Sequence, residues 1–432
     1  MMKGHRQGRF KVMLKTFEEQ YLVRYWELQR QQWCNYFEES RYDLSILDKE
    51  IYNLVCLYKD KIEIFDRKSQ IANLLIKREF VDKNPHVSKL RNRIDNLENY
   101  NKDIPNEIRE DNYKYKLKMS KRMKKDVLNL MDIRNSLAIN NGYNSYIDLV
   151  LSTEEIDEEK LIELLNNYLD KNLHKAKEII KKYNITFENW FEDLDRVYNI
   201  NNSYNPNTLV DKLLKAFGFM EMKNRIKVYC DQNRLWGCAV EISPNDIRIA
   251  IEPIESLDSL RTLFHELGHA ILYDLNKEEG LFRILPASLD ESMAVVFEYM
   301  APILLLDGDD KEKIYELMTL EYTRCAISAL FEFELWQEPN KAEKLCEKHY
   351  GKLGLKIGDP NIWAYDSFRS IDPVYIHNYV IGASLAEKLI GHLSKLHLND
   401  YIAWGEWLNH NIYFDGSKRK FRDKINAIVD FI

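Results

Sequence analysis

TLFHELGHAILY, residues 262–273, sets His265 and His269 four positions apart with Glu266 between them, inside a run whose apolar residues recur at helical spacing. Four positions are just over one helical turn, so on a helix both imidazoles lie on one face and can meet at one ion. Glu266 turns toward the same cavity. The donor set suits zinc, because two neutral imidazoles leave room for a third protein ligand and a water, the open coordination a catalytic centre requires. The competing reading is two histidines on an ordinary amphipathic helix, and a third ligand is what separates the two.

Upstream, RIKVYCDQNRLWGCAVEISPNDIRIAIEP (225–253) breaks the helical pattern into short alternating segments around Gly237 and Pro244, which predicts a small antiparallel sheet ending at Pro253. Ser256 or Asp258 can then cap the histidine-bearing helix. Downstream, LPASLDESMAVVFEYMA (285–301) begins a new apolar helix whose first turn carries Asp290 and Glu291, the latter 22 residues beyond His269. Glu291 is the choice for third ligand, since a zinc helix followed by an acid on a second helix resembles the gluzincin layout; Glu298, seven residues on, is the reserve. Ser288 and Glu291 also have the spacing of a capping box, in which Glu291 would serve only backbone amides.

The rest of the 432 residues is predominantly α in pattern, with only 15 Gly and 10 Pro to interrupt helical recurrence of Leu, Ile, Tyr and Phe. Residues 17–83 read as long amphipathic helices, and a polar break falls near 99–107. We place an N-terminal helical region at 1–130 and a catalytic region at 131–432. At 45% apolar and 12% aromatic the chain can fill a substantial core. A net charge of −7 with both signs interspersed gives no field directed at nucleic acid or an anionic membrane. The basic run KYKLKMSKRMKK (114–125) interleaves Leu117, Met119 and Met123 and reads as a solvated helix face. Six cysteines without a Cys-x-x-Cys pair suggest neither a disulfide framework nor a thiolate zinc site. No apolar run has the length of a signal peptide or membrane span, so a cytoplasmic location is expected. Oligomeric state is not legible.

Four stretches together resemble the oligoendopeptidase F branch of the thimet oligopeptidase-like zinc peptidases, more distantly related to the angiotensin-converting enzyme group. They are RNSLAINNGYNSYIDL (134–149), RLWGCAVEI (234–242) followed by TLFHELGHA, YTRCAISALFEFEL (322–335), and DPVYIHNYVIGASLAEKL (372–389). The resemblance implies a mainly α, two-lobed helical zincin-like metallopeptidase with a small antiparallel sheet beside the zinc helix. It also implies one Zn²⁺ per chain, held by His265, His269 and Glu291, and a peptide substrate. The last stretch is similar to a family segment that supplies transition-state donors, matched here by Pro373, Tyr375, Tyr379 and Gly382. Two departures stand out: Arg369 where the family places a histidine, and His377 where relatives carry an aromatic residue.

With zinc bound, Glu266 is expected to act as general base and proton shuttle. Tyr375 and Tyr379 are candidate oxyanion donors, with His377 a third. Arg324 and Glu334 read equally as a pair supporting the site or as a plain helix-surface ion pair. The expected function is hydrolysis of peptide bonds in short peptides by an oligoendopeptidase. The alternatives are a peptidyl-dipeptidase or carboxypeptidase of the same fold, and a catalytically silent zinc-binding helical protein.

Overall fold

The residues that recur every three or four positions are the ones the fold buries. A computed structural model of the chain describes residues 2–37, 42–99, 112–200, 204–231 and 237–426. Its first helices are α1 (Met2–Phe37), α2 (Leu44–Tyr58), α3 (Arg67–Asp82), α4 (Pro85–Asn99), α5 (Asn112–Asn140) and α6 (Tyr146–Glu154). There follow α7 (Glu158–Tyr183), α8 (Trp190–Val197), α9 (Pro206–Ala216) and strands β1 (Ile226–Cys230), β2 (Cys238–Ser243) and β3 (Asp246–Ile251). The chain continues through α10 (Leu257–Leu275), α11 (Ala287–Leu305), α12 (Gly308–Gln337), α13 (Ala342–Tyr350), α14 (His377–His397), α15 (Tyr401–Leu408) and α16 (Phe421–Ile425). The break expected at 99–107 lies, from residue 100 onward, outside the described residues, as do Arg234, Leu235 and Trp236 ahead of β2.

Two compact units form, each from separated stretches of chain: residues 1–159 with 328–376, and residues 160–327 with 377–432. In the first, α2 turns Leu47, Ile51, Leu54, Val55 and Tyr58 inward, a stripe at helical spacing, and Asp43 starts the helix by accepting a hydrogen bond from the Ser45 amide. The basic run on α5 buries Met119 and Met123, while Lys121 and Lys124 pair with Asp359 and Glu343. Of the cysteines, Cys34, Cys325 and Cys346 are buried, whereas Cys56 and Cys230 are exposed. Among the described residues no helix is long and apolar enough to cross a membrane.

The second unit holds the sheet, in the order β1-β3-β2. β2 and β3 form the antiparallel pair that the alternation predicts, but β1 joins the other side of β3 in parallel, Ile226 opposite Ile247 through Cys230 opposite Ile251. The sheet is therefore mixed. Alternation identifies a strand without naming its partner, and here β2 comes between β1 and β3 along the chain, leaving the length a parallel pair requires. β3 takes the centre, and Ile247, Ile249, Ala250 and Ile251 are its fully buried residues.

After the sheet, Ser256 and Ser259 cap α10 reciprocally, each hydroxyl accepting the other's backbone N–H at 3.0–3.1 Å. α11 is apolar around nearly its whole circumference, as a helix packed on several sides must be. Two glycines set how closely its neighbours approach. A Cβ on Gly268 of α10 would lie 2.7 Å from Ala294 Cα, and one on Gly382 of α14 would lie 2.7 Å from Val295 Cβ and 2.9 Å from Ser292 Cα. Backbone thus rests nearly on backbone at both contacts, and α11 is held against α10 with little slack.

Candidate active site

That close packing brings three donor groups together. On α10 the Nε2 atoms of His265 and His269 are 3.2 Å apart. From α11, Glu291 Oε2 lies 3.2 Å from His265 Nε2 and 3.7 Å from His269 Nε2. Zinc bonds of about 2.0–2.2 Å at tetrahedral angles separate ligand atoms by roughly 3.3–3.6 Å. The three protein atoms bracket that spacing.

The opposite face of each imidazole carries its own carboxylate. His265 Nδ1 is 3.1 Å from Glu298 Oε2, and His269 Nδ1 is 2.6 Å from Asp290 Oδ1. If each Nδ1 holds the hydrogen and donates it to that acid, the two Nε2 lone pairs face one another at 3.2 Å, an arrangement that calls for a cation between them. Charge gives the same answer. Burial disfavours a charged His265, but hydrogen bonds to Glu291 and Glu298 outweigh it and raise the imidazole to about 10. Asp290, Glu291 and Glu298 around the two imidazoles thus favour positive charge between them, which either a proton or a divalent metal can supply.

Glu266 is buried beside these groups, and burial raises its carboxyl against the pull of His265 and His269. The chain at Gly237 lies directly on it: a Cβ there would stand 2.8 Å from Glu266 Cγ and 2.5 Å from Thr262 Cγ2. Glu266 is therefore walled by backbone just ahead of β2.

The other expectations separate. Ser288 and Glu291 make no capping box, because α11 starts at Pro286 without a side-chain cap and Ser288 is already helical. Glu298, the reserve candidate, faces Nδ1 of His265, the nitrogen that points away from Glu291. Tyr379, on α14, places its ring centroid 5.8 Å from that of His265. His377 is buried at the first residue of α14, and two positions on a helix differ by about 200°, so it and Tyr379 face different ways. Tyr375 belongs to the first unit, where its ring stacks on Phe368.

Arg369 is buried in the first unit, with Nη1 3.1 Å from Glu332 Oε2 and Nη2 3.3 Å from Asp366 Oδ2, so its guanidinium is engaged in holding that segment. Arg324 and Glu334 do not pair: Arg324 bonds Glu321, and Glu334 bonds Lys348. Asp290 and Glu298 as orienting acids, with Tyr273 and Tyr322 bonded to them, went unread in the sequence. The acids are visible on the helix after the zinc motif, but which imidazole nitrogen each meets depends on how α10 and α11 pack.

Neither a protein-family model nor a curated protein sequence matches the chain. Solved structures do. The M32 carboxypeptidase of Deinococcus radiodurans R1 superposes with a TM-score of 0.68 over 98% of this chain and 95% of its own, at 12% identity. Trypanosoma cruzi metallocarboxypeptidase 1 gives 0.65 over 98% and 96% at 14% identity. A protein assigned as oligoendopeptidase F of Bacillus anthracis str. Ames gives 0.61 over 89% and 79% at 12% identity. The fold is that of the helical zincin-like metallopeptidases. In this zincin fold the His265, His269 and Glu291 cluster is a candidate metal centre by its own geometry.

Proposed function

We propose that the chain is a zinc-dependent peptidase that cleaves short peptides as an oligoendopeptidase. The observation that carries this reading is the triad of His265, His269 and Glu291 at zinc-ligand spacing, with an acid behind each imidazole and Glu266 alongside. A zinc ion held there supplies Lewis acidity, lowering the pKa of a water and polarising a carbonyl. Glu266 takes the proton of the attacking water and returns it to the leaving amine; its burial, which raises its proton affinity, suits a group that must hold that proton between the two steps. Tyr379 donates a hydrogen bond to the developing oxyanion, a role a phenol fills without adding a competing nucleophile. Intact Glu266 argues against a silent binding protein.

A second reading, a carboxypeptidase, is favoured by size: the chain spans 95–96% of the two carboxypeptidase structures but 79% of the oligoendopeptidase F structure. One experiment tests both. Purified chain with zinc is incubated with a peptide carrying a free C-terminal carboxylate and with its C-terminally amidated counterpart, and products are identified by mass. Internal cleavage of both supports the oligoendopeptidase; stepwise loss of C-terminal residues from the free acid alone supports the carboxypeptidase. No cleavage of either, with zinc bound, refutes the peptidase reading.

A further inference from the structure

The face of α10 that carries the histidines is longer than the zinc motif. Arg261, His265, His269 and Tyr273 follow one another at four-residue intervals, so a polar group flanks each imidazole along the helix. Each flanking group reaches across to the acid behind its neighbouring histidine: Arg261 Nη1 donates to Glu298 Oε1 at 3.2 Å, and the Tyr273 hydroxyl donates to Asp290 Oδ2 at 2.9 Å.

The two halves are not equivalent. Glu298 is fully buried, and its Oε1 accepts a second hydrogen bond, at 2.5 Å, from the hydroxyl of Tyr322 on α12. Its two oxygens thus have divided tasks, Oε1 anchored by Arg261 and Tyr322, Oε2 turned to His265 Nδ1 at 3.1 Å. Arg261 is itself fixed from its other side, Nε donating to Asp258 Oδ1 at 2.8 Å, and the Tyr322 ring stacks on Tyr299. Asp290 has the single tyrosine clamp, and its side chain is 22% exposed. A carboxylate that cannot rotate or take up water holds an imidazole in one tautomer and orientation and strengthens its metal-binding nitrogen.

From this asymmetry the geometry points to Arg261 and Tyr322 as positioning residues that set metal affinity through Glu298 and His265. The inference rests on the proposed reading of His265, His269 and Glu291 as the zinc ligands. It assigns the buried Glu298 side the larger share of affinity and the partly exposed Asp290 side the smaller.

The test uses the full chain and Zn²⁺ alone, with affinity read by competition against a chelating dye. Glu298→Gln should weaken zinc about 10- to 100-fold, Tyr322→Phe about 10-fold and Asp290→Asn less than Glu298→Gln, whereas Glu387→Gln, which removes a surface partner of Lys171, should leave affinity unchanged. Loading the same variants with Co²⁺ adds a signature that a purely structural role would not move: the visible absorption should shift in Glu298→Gln and Tyr322→Phe but not in Glu387→Gln. Unchanged affinity and spectrum in Tyr322→Phe overturn the proposal, and that variant decides alone if Glu298→Gln fails to fold. Wild-type chain that takes up no zinc overturns the ligand reading as well; wild-type binding with indifferent variants overturns only the positioning role.

Discussion

Glu266 and Glu291 are one kind of residue in two kinds of surroundings, and their substitutions should separate cleanly. Glu291 lies within 3.7 Å of both imidazole Nε2 atoms and caps nothing, so Glu291→Ala should abolish stoichiometric zinc, read by elemental analysis, while leaving the start of α11 intact. Retained zinc with a lowered melting temperature would restore the capping reading. Glu266→Gln should keep the metal and lose roughly 10²–10⁴-fold in turnover, since base and proton shuttle vanish together. An active, zinc-loaded Glu266→Gln chain contradicts the mechanism. Tyr379 sits against His265, so Tyr379→Phe should lower kcat by roughly 10²–10³ with KM and zinc content little changed, the pattern of an interaction made only in the transition state. His377→Phe, buried and facing elsewhere, should be mild by comparison. Equal effects of the two on kcat would move the donor role away from Tyr379.

At the scale of elements the site depends on how closely three helices approach. A methyl at Gly268 meets Ala294 Cα, a backbone atom that cannot swing aside, so Gly268→Ala must push α10 and α11 apart. The expected cost is about 1–3 kcal/mol by urea denaturation, accompanied by weaker zinc binding, because Glu291 retreats from the imidazoles. Gly382→Ala strains the α11–α14 contact to a similar degree, but its neighbours Ser292 and Val295 are not ligands, so stability should fall with less loss of zinc affinity. If Gly268→Ala changes neither stability nor affinity, the close contact is not what sets the ligand spacing.

For the molecule as a whole, stability in acid should depend on a charge cluster in the first unit. Burial by itself would raise the carboxyl of Asp82, but Arg78, Arg134 and the Tyr146 hydroxyl, which donates to it at 2.7 Å, more than reverse this and hold it at about 2. An unfolded aspartate titrates near about 3.9. The folded value is the lower one, so the stabilisation is present above about pH 4 and is lost as pH falls from there toward about 2. Asp82→Asn should therefore cost about 2 kcal/mol near neutrality and progressively less on acidification, measured by urea denaturation across that range. A pH-independent difference would mean that Asp82 acts by shape and not by charge.

What the sequence determined by itself was local: the helix bearing His265, Glu266 and His269, a cap for it at Ser256 or Asp258, a small sheet before it, and an acid at the start of the following helix. Each follows from periodicity, capping chemistry or turn residues within one or two turns of chain. Tertiary structure decided the rest. The family layout singles out Glu291, but only the contact of α10 with α11 shows that Glu291 meets Nε2 whereas Asp290 and Glu298 meet Nδ1. Only the sheet shows that β1 lies parallel to β3, and only the packing of the first unit shows Arg369 occupied by Glu332 and Asp366. Helical and strand periods say which face of an element is buried; which nitrogen, strand edge or charge lies opposite is set by residues far away along the chain.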